Sequence, residues 1–346
     1  LLNANRKQWW LRGTDVAWKN PWYDPSKPHH LESGFRNLHP VATRAGDYQR
    51  WQKARKANGY PPAPQHGYDR FIEQWWQPAD FSHAGDGVWW LGHASLLFAL
   101  QGQYILTDPV FSKRASPLTF FGPERKSPLP FAPPSLPNID TVLISHNHYD
   151  HLDSVTIRFL RRHSPDATWF VPLGLKAWFI RRGITRVVEL DWWQAFTHNG
   201  LVYTAIPAQH WSMRTPWDRN RTLWCGWAIE TSHFRAWFCG DTGYHPMLHD
   251  ITQRLGPIDV AAIPIGAYEP RWFMGANHMD PECAVRLWQK IGRPLAIPIH
   301  WGVFELADEA IDAPPEALLM ALKAAGETMD IFAPIKIGHY SALNRK

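Results

Sequence analysis

The chain has 346 residues, a formal net charge of +5, a pI near 9.1 and 45% hydrophobic residues, enough apolar content for a sizeable core in one or two domains. The basic balance favours anionic surfaces, yet no dense Lys/Arg run interleaved with aromatics is present, which sets nucleic acid aside as a partner. Cys225, Cys239 and Cys283 form no CxxC pair and exclude a disulfide framework, and no apolar run reaches membrane-spanning length.

Residues 1–86 are predicted to form a Trp- and Pro-rich extension that packs on a catalytic domain over residues 87–346. The first residue is Leu1 rather than Met, which leaves room for a processed leader or anchor ahead of it. Twenty-one tryptophans, several in pairs such as Trp9-Trp10 and Trp75-Trp76, read mainly as packing residues. Membrane contact is the alternative for the N-terminal ones. Turns at Asn20-Pro21 and around Pro61, Pro62 and Pro64 leave the extension irregular. One helix is predicted, over 47–58, where good helix formers precede Gly59.

From residue 88 the rhythm changes. Strands over 88–91, 95–100 and 104–107 form a meander around Gln101-Gly102, and a Pro-rich loop follows over 111–138. Helices are predicted over 154–163, 175–182, 245–255, 281–291 and 314–325, alternating with strands. Strands alternating with helices after a meander point to the α/β class, two sheets faced by helices in an αββα sandwich.

Four of the apolar strands finish on residues that bind metals. The run 141–145 leads into His146, Asn147, His148, Tyr149, Asp150 and His151; 201–206 leads to His210, 237–239 to Asp241 and 295–299 to His300. A regular strand or helix would spread these side chains around its axis, whereas loops at strand ends can turn them toward one place. Imidazole and carboxylate suit zinc where thiolate is absent. Convergence would give His146, His148 and His210 to one zinc ion and Asp150, His151 and His300 to a second, with Asp241 bridging the two.

The HxHxDH run with a later His, Asp and His resembles the metallo-β-lactamase superfamily. Longer strings are similar to N-acyl-phosphatidylethanolamine-hydrolysing phospholipase D. They are Leu-Ile-Ser-His-Asn-His-Tyr-Asp-His-Leu-Asp at 143–153, Trp-Phe-Val-Pro-Leu-Gly-Leu at 169–175 and Glu-Leu-Asp-Trp-Trp at 189–193. Further along come Gly-Asp-Thr-Gly-Tyr at 240–244 and Ala-Ala-Ile-Pro-Ile-Gly-Ala-Tyr-Glu-Pro-Arg-Trp-Phe-Met at 261–274. The likeness covers most of the chain from Trp90 to Gly338 and only Phe35-Arg36-Asn37 before it. It implies the αββα fold, cleavage by water of the bond between phosphatidate and an N-acylethanolamine, a peripheral membrane location for a phospholipid substrate, and a homodimer.

Two zinc ions about 3.5 Å apart would lower the pKa of a shared water and supply hydroxide, so no Ser or Cys nucleophile is needed. Asp150 and His278 are the catalytic candidates; His278 matches a histidine of the family and would assist the departing alkoxide. Asp108 is expected to orient the metal loop from behind. Arg214 would do likewise or steady a phosphate, while His93 reads as a core histidine, with a place behind the metal donors as the alternative. Leu118, Thr119, Phe120 and Phe121 stand where the family is more polar and are expected to border the substrate channel. Two other functions fit the same motif: a soluble lactone or sugar-phosphate-lactone hydrolase, and a non-catalytic envelope protein with a structural zinc site.

Overall fold

Strands Gly87–Gly92 and Ser95–Leu100 are buried along their whole length, and a strand covered on both faces must lie between two layers. The computed structural model describes residues 18–39, 44 and 46–343, and it supplies both layers. With Gln103–Thr107 these strands form the antiparallel meander. Tyr340–Ala342 edges it, and Thr141–Leu143, Thr168–Pro172 and Val187–Leu190 extend it in parallel into a seven-stranded sheet.

Alternation along the meander decides the layering. Val88, Trp90, Leu96 and Phe98 join the core that includes the second sheet, while Trp89, Leu91 and Leu97 join Ile157 and Leu160 of the helix Ser154–His163. The second sheet runs Leu295–Ile299, Val260–Pro264, Arg235–Phe238, Gly226–Glu230, Leu201–Ile206 and Ala195–His198 in spatial order. Phe170 of the first sheet stacks on Tyr203 of the second at 4.5 Å between ring centroids, and Trp227 Nε1 donates across the gap to the Ile144 carbonyl at 3.0 Å. Helices Pro281–Lys290 and Ala313–Ala324 bring Leu287, Trp288, Leu318 and Leu322 into the same core. Each large apolar side chain so covered contributes about 1.5–3 kcal/mol. The αββα sandwich expected from the sequence is the architecture observed.

Local signals set most helix ends. Asp153 accepts a hydrogen bond from Val155 N and caps Ser154–His163, whose last turn carries Arg161, Arg162 and His163 against the helix dipole. The helix predicted over 175–182 shortens to Lys176–Ile180. The one predicted over 245–255 divides into a 3-10 turn, Pro246–His249, and a short helix, Asp250–Leu255. A helix at Gly67–Trp75 was not expected in the extension. Its Tyr68, Phe71, Ile72 and Trp75 repeat at helical spacing and pack on the main core, so tertiary contact outweighs the surrounding turn signals. The Trp9-Trp10 pair lies outside the described residues. Among the described residues no helix is long and apolar enough to cross a membrane.

One buried carboxylate fastens residues 18–39. Asp191, with a side chain only 1% exposed, accepts from Lys27 Nζ at 2.6 Å and lies 2.7 Å from His29 Nε2 and 3.1 Å from His30 Nε2. Burial opposes its charge, but the hydrogen bonds of His29 and Lys27 and the field of both histidines hold the carboxyl well below the usual range. A carboxyl whose pKa falls on folding adds stability that is full above about pH 4 and is lost as the pH drops below it. Asp191→Asn is therefore expected to lower stability by about 3 kcal/mol near neutral pH and to remove part of the acid-side slope. Urea unfolding of both proteins at neutral and acidic pH checks this; equal stability at neutral pH would show the cluster to be inert.

Candidate metal centre

Every candidate donor leaves the end of a strand. Beyond Thr141–Leu143, the loop carrying His146, His148, Asp150 and His151 closes with Leu152 N donating to the His148 carbonyl at 2.8 Å. His210, Asp241 and His300 follow Leu201–Ile206, Arg235–Phe238 and Leu295–Ile299. Two glycines allow these ends to meet. A Cβ at Gly266 would stand 2.2 Å from the His300 carbonyl oxygen, and one at Gly243 would stand 2.4 Å from that of Ala276. Any larger residue would push His300 away, or push the loop of His278 off Asp241.

Two clusters result. In the first, His148 Nδ1 faces His146 Nε2 at 2.8 Å and His210 Nε2 at 3.2 Å. In the second, Asp150 Oδ2 lies 3.0 Å from His93 Nε2, 3.3 Å from His151 Nε2 and 3.5 Å from His300 Nε2. Asp241 stands between them, with Oδ1 3.0 Å from His300 Nε2 and Oδ2 3.1 Å from His151 Nε2 and 3.6 Å from His210 Nε2. The seven residues named from the sequence thus share one place.

The partners behind the rings decide which nitrogen points inward. His210 Nδ1 donates to the Asn277 carbonyl at 3.1 Å, which leaves Nε2 as a lone pair toward His148. His151 Nδ1 lies 2.7 Å from Asp108 Oδ2, and Asp108 also accepts from Ser145 N at 2.7 Å and from the Ser145 hydroxyl. Asn37, far away in sequence, pairs with His210 as a strand would: its Nδ2 donates to the His210 carbonyl at 2.9 Å, and its Oδ1 accepts from His210 N at 3.2 Å.

Burial pushes His148 down to about 4 and holds His146 and His210 well below the ordinary histidine value. Each neutral ring carries a single N–H, and with that of His210 committed to Asn277 the one N–H of His148 cannot satisfy both His146 Nε2 and His210 Nε2, whereas a cation among them would. On the other side burial opposes charge, but the Asp241, Asp150 and Asp108 carboxylates push His151 well above its usual value; Asp241 and Asp150 raise His300 to about 9. Burial is likewise outweighed at Asp150 and Asp241, which the histidines keep ionised. Two ionised carboxylates that attract positive charge, with buried nitrogens at His148 Nε2, His93 Nδ1 and His278 Nδ1 left without partners, suit divalent cations.

At four places the structure narrows, adds to or differs from the sequence reading. His93 is buried, as a core histidine would be, but its Nε2 reaches Asp150, so it belongs with the second cluster. The Leu-Gly-His-Ala turn at a strand end was the available signal. Of the two roles read for Arg214, its contacts are those of orienting the loop rather than of meeting a phosphate. Its Nη1 donates to the Asn147 carbonyl at 2.9 Å and the Leu152 carbonyl at 2.6 Å, and its Nη2 to Ser154 Oγ at 3.2 Å, so the guanidinium clamps the metal loop. Asn37 carried no sequence signal beyond its place in Phe35-Arg36-Asn37. Leu118, Thr119, Phe120 and Phe121 do not line the cavity over the clusters. Only the base of their loop, at Ala115, does, and the tip points outward with Phe120 78% and Phe121 71% exposed.

That cavity measures about 690 Å³. His148, Asp150, Asp241 and His278 form its floor, and its walls include Tyr48 and Trp51 of the helix Asp47–Asn58 with Trp211, Met213, Phe273 and Leu306. Trp51 stacks on Phe273 at 5.0 Å between ring centroids and donates from Nε1 to Asp308 Oδ1 at 3.0 Å. His278 sits with Nδ1 4.0 Å from Asp241 Oδ2, its ring 5.1 Å from that of His210. Burial lowers it to about 4.

Residues 103–301 match the beta-lactamase superfamily domain. The chain is 41% identical over 263 residues to N-acyl-phosphatidylethanolamine-hydrolyzing phospholipase D 1 of Caenorhabditis elegans, covering 72% of this chain and 74% of that protein. It is 34% identical over 246 residues to the mitochondrial protein of the same activity name from Saccharomyces cerevisiae, covering 68% of this chain and 52% of that one. Among solved structures, a metallo hydrolase of the archaeon Ignicoccus hospitalis superposes with a TM-score of 0.55 at 22% identity, over 75% of this chain and 99% of that one, and shares the fold. With its strand-end donors in the superfamily's order and this level of identity to the worm protein, the chain belongs to the N-acyl-phosphatidylethanolamine-hydrolysing phospholipase D family of the metallo-β-lactamase superfamily.

Proposed function

We propose that the chain is a phospholipase D-type phosphodiesterase that cleaves N-acyl-phosphatidylethanolamine or a related phospholipid with two zinc ions. The observation that carries this reading is Asp241, which stands between the two histidine clusters at the floor of a largely apolar cavity, with Oδ1 toward His300 and Oδ2 toward both His151 and His210. The similarity to the worm and yeast proteins supports the substrate class. His146, His148 and His210 would hold one ion, Asp150, His151 and His300 the other, and Asp241 both. Zinc ions bound there supply an acidified water at neutral pH and positive charge for phosphate oxygens.

The chain's own residues do the rest. Asp108 fixes the ring of His151, and Asn277 that of His210, so the donors are aimed before any ion arrives. His93 holds Asp150 through its second-cluster contact. Trp51, Phe273 and Leu306 cover acyl chains and exclude water from the floor. His278, with Nδ1 unpartnered, is placed at the cavity floor to orient the phosphate or steady the leaving alkoxide by hydrogen bonding from its neutral ring. The outward Phe120 and Phe121 would enter the headgroup region of a bilayer and make the protein a peripheral membrane enzyme.

The purified protein is expected to carry two zinc ions per chain by elemental analysis, and His148→Ala to lose metal and activity together. Activity lost at full zinc occupancy would refute the ligand assignment. His278→Ala is expected to keep both ions while slowing turnover about 100-fold, and unchanged turnover on a poor leaving group would remove it from the mechanism. Vesicles containing N-acyl-phosphatidylethanolamine should be hydrolysed in preference to acyl lactones. Replacing Phe120 and Phe121 together by Ser should weaken vesicle binding and vesicle hydrolysis in parallel and leave a soluble phosphodiester unaffected. Equal losses on both substrates would instead mark a packing defect.

A further inference from the structure

With Arg214 committed to the metal loop, the cavity still contains a cation free to meet substrate. Arg219 lines the cavity over the clusters, and its guanidinium carbon lies 4.4 Å from the Trp211 ring centroid. Trp211 in turn meets His148 edge-on at 4.3 Å, so the indole that carries the guanidinium borders the metal floor within the same cavity. No carboxylate pairs with Arg219 among the described residues. Its neighbour Asp218 is engaged with the backbone N–H groups of Arg214 at 2.9 Å and Thr215 at 2.8 Å, and Asp47, across the cavity, accepts from Arg44 N at 2.7 Å. Partial burial against the cavity wall lowers the basicity of the Arg219 guanidinium, which stays exposed on its other side, and no acid offsets that.

Arginine is the side chain suited to this place. Stacking on an indole holds its plane and leaves the N–H edge open, and that edge matches two oxygens of a phosphate. A charge set against an apolar wall, unanswered by the protein, favours an anionic group brought by a ligand and gives nothing to a neutral one.

We infer that Arg219, stacked on Trp211 beside the metal floor, is a specificity-determining residue that reads the anionic phosphate of the substrate and selects phosphodiesters over neutral esters and lactones. This inference rests on the phosphodiesterase reading of the same site. Arg219 acts on binding and takes no part in proton transfer, so its removal shows in KM rather than in kcat.

The test uses the full zinc-loaded chain, Arg219→Met to keep the alkyl contact with Trp211 without the charge, and Arg219→Lys to restore charge without the planar fork. Two readouts are taken: turnover of a soluble nitrophenyl phosphodiester, and calorimetric binding of inorganic phosphate. Arg219→Met is expected to raise KM and weaken phosphate binding by about tenfold each, with kcat within about twofold and zinc content and thermal midpoint unchanged. Arg219→Lys should recover part of both losses. Unchanged KM and unchanged phosphate affinity would overturn the inference, as would loss of zinc or of kcat, which would make Arg219 a structural residue. If the wild type turns over no phosphodiester and Arg219→Met still weakens phosphate binding, the phosphodiesterase reading fails while the anion-reading role stands.

Discussion

Three aspartates, Asp108, Asp150 and Asp241, are withdrawn from water within one small volume, and an unanswered carboxylate there would cost several kcal/mol. Each is answered by histidine. Asp108 meets His151, Asp150 meets His93, His151 and His300, and Asp241 meets His151 and His300. The requirement runs in both directions, because the imidazoles are buried as well and face one another where no proton can satisfy all of them. The arrangement holds only if the strand ends that carry these groups are fixed to within a fraction of a hydrogen bond.

The two sheets provide that fixity. Strands buried on both faces have little freedom to shift, since a slip by one residue would exchange the two sides of every strand. The donors therefore sit one or a few residues past a rigid end, and the turns that follow are sharp. His93, Asp108 and His300 all take left-handed backbone conformations, at φ values of 53°, 32° and 66°, which side-chain-bearing residues visit at a cost of about 1 kcal/mol or more each. Strain at the site is balanced by packing in the sheets behind it.

Much of this was legible because donors and strand ends are local patterns. Apolar runs ending in His146, His210, Asp241 and His300 could be read directly, as could the helix after Asp153. What escaped depends on contacts between distant segments. Arg214 could be read either as a phosphate ligand or as a support for the loop, because nothing in the sequence shows that the carbonyls of Asn147 and Leu152 lie against it. Leu118 to Phe121 looked like a channel border by composition, and the direction of that loop is set by the pinch between Arg114 and Glu124 at its base. Asn37 was similarly hidden, and His93 was read first as a core residue, since neither has a neighbour in sequence that shares its task.

The amide of Asn37 has a consequence for how the protein comes into being. It pairs with the backbone of His210 across 173 positions of sequence, and the donors themselves extend to His300. Contacts of such separation form late in folding, after the intervening chain has closed its loops. During synthesis the segment bearing Asn37 leaves the ribosome first and must wait, unpaired, until His210 emerges. The centre is thus assembled only once the chain through His300 has been made, so a shorter nascent chain has no finished pocket in which to capture a metal ion.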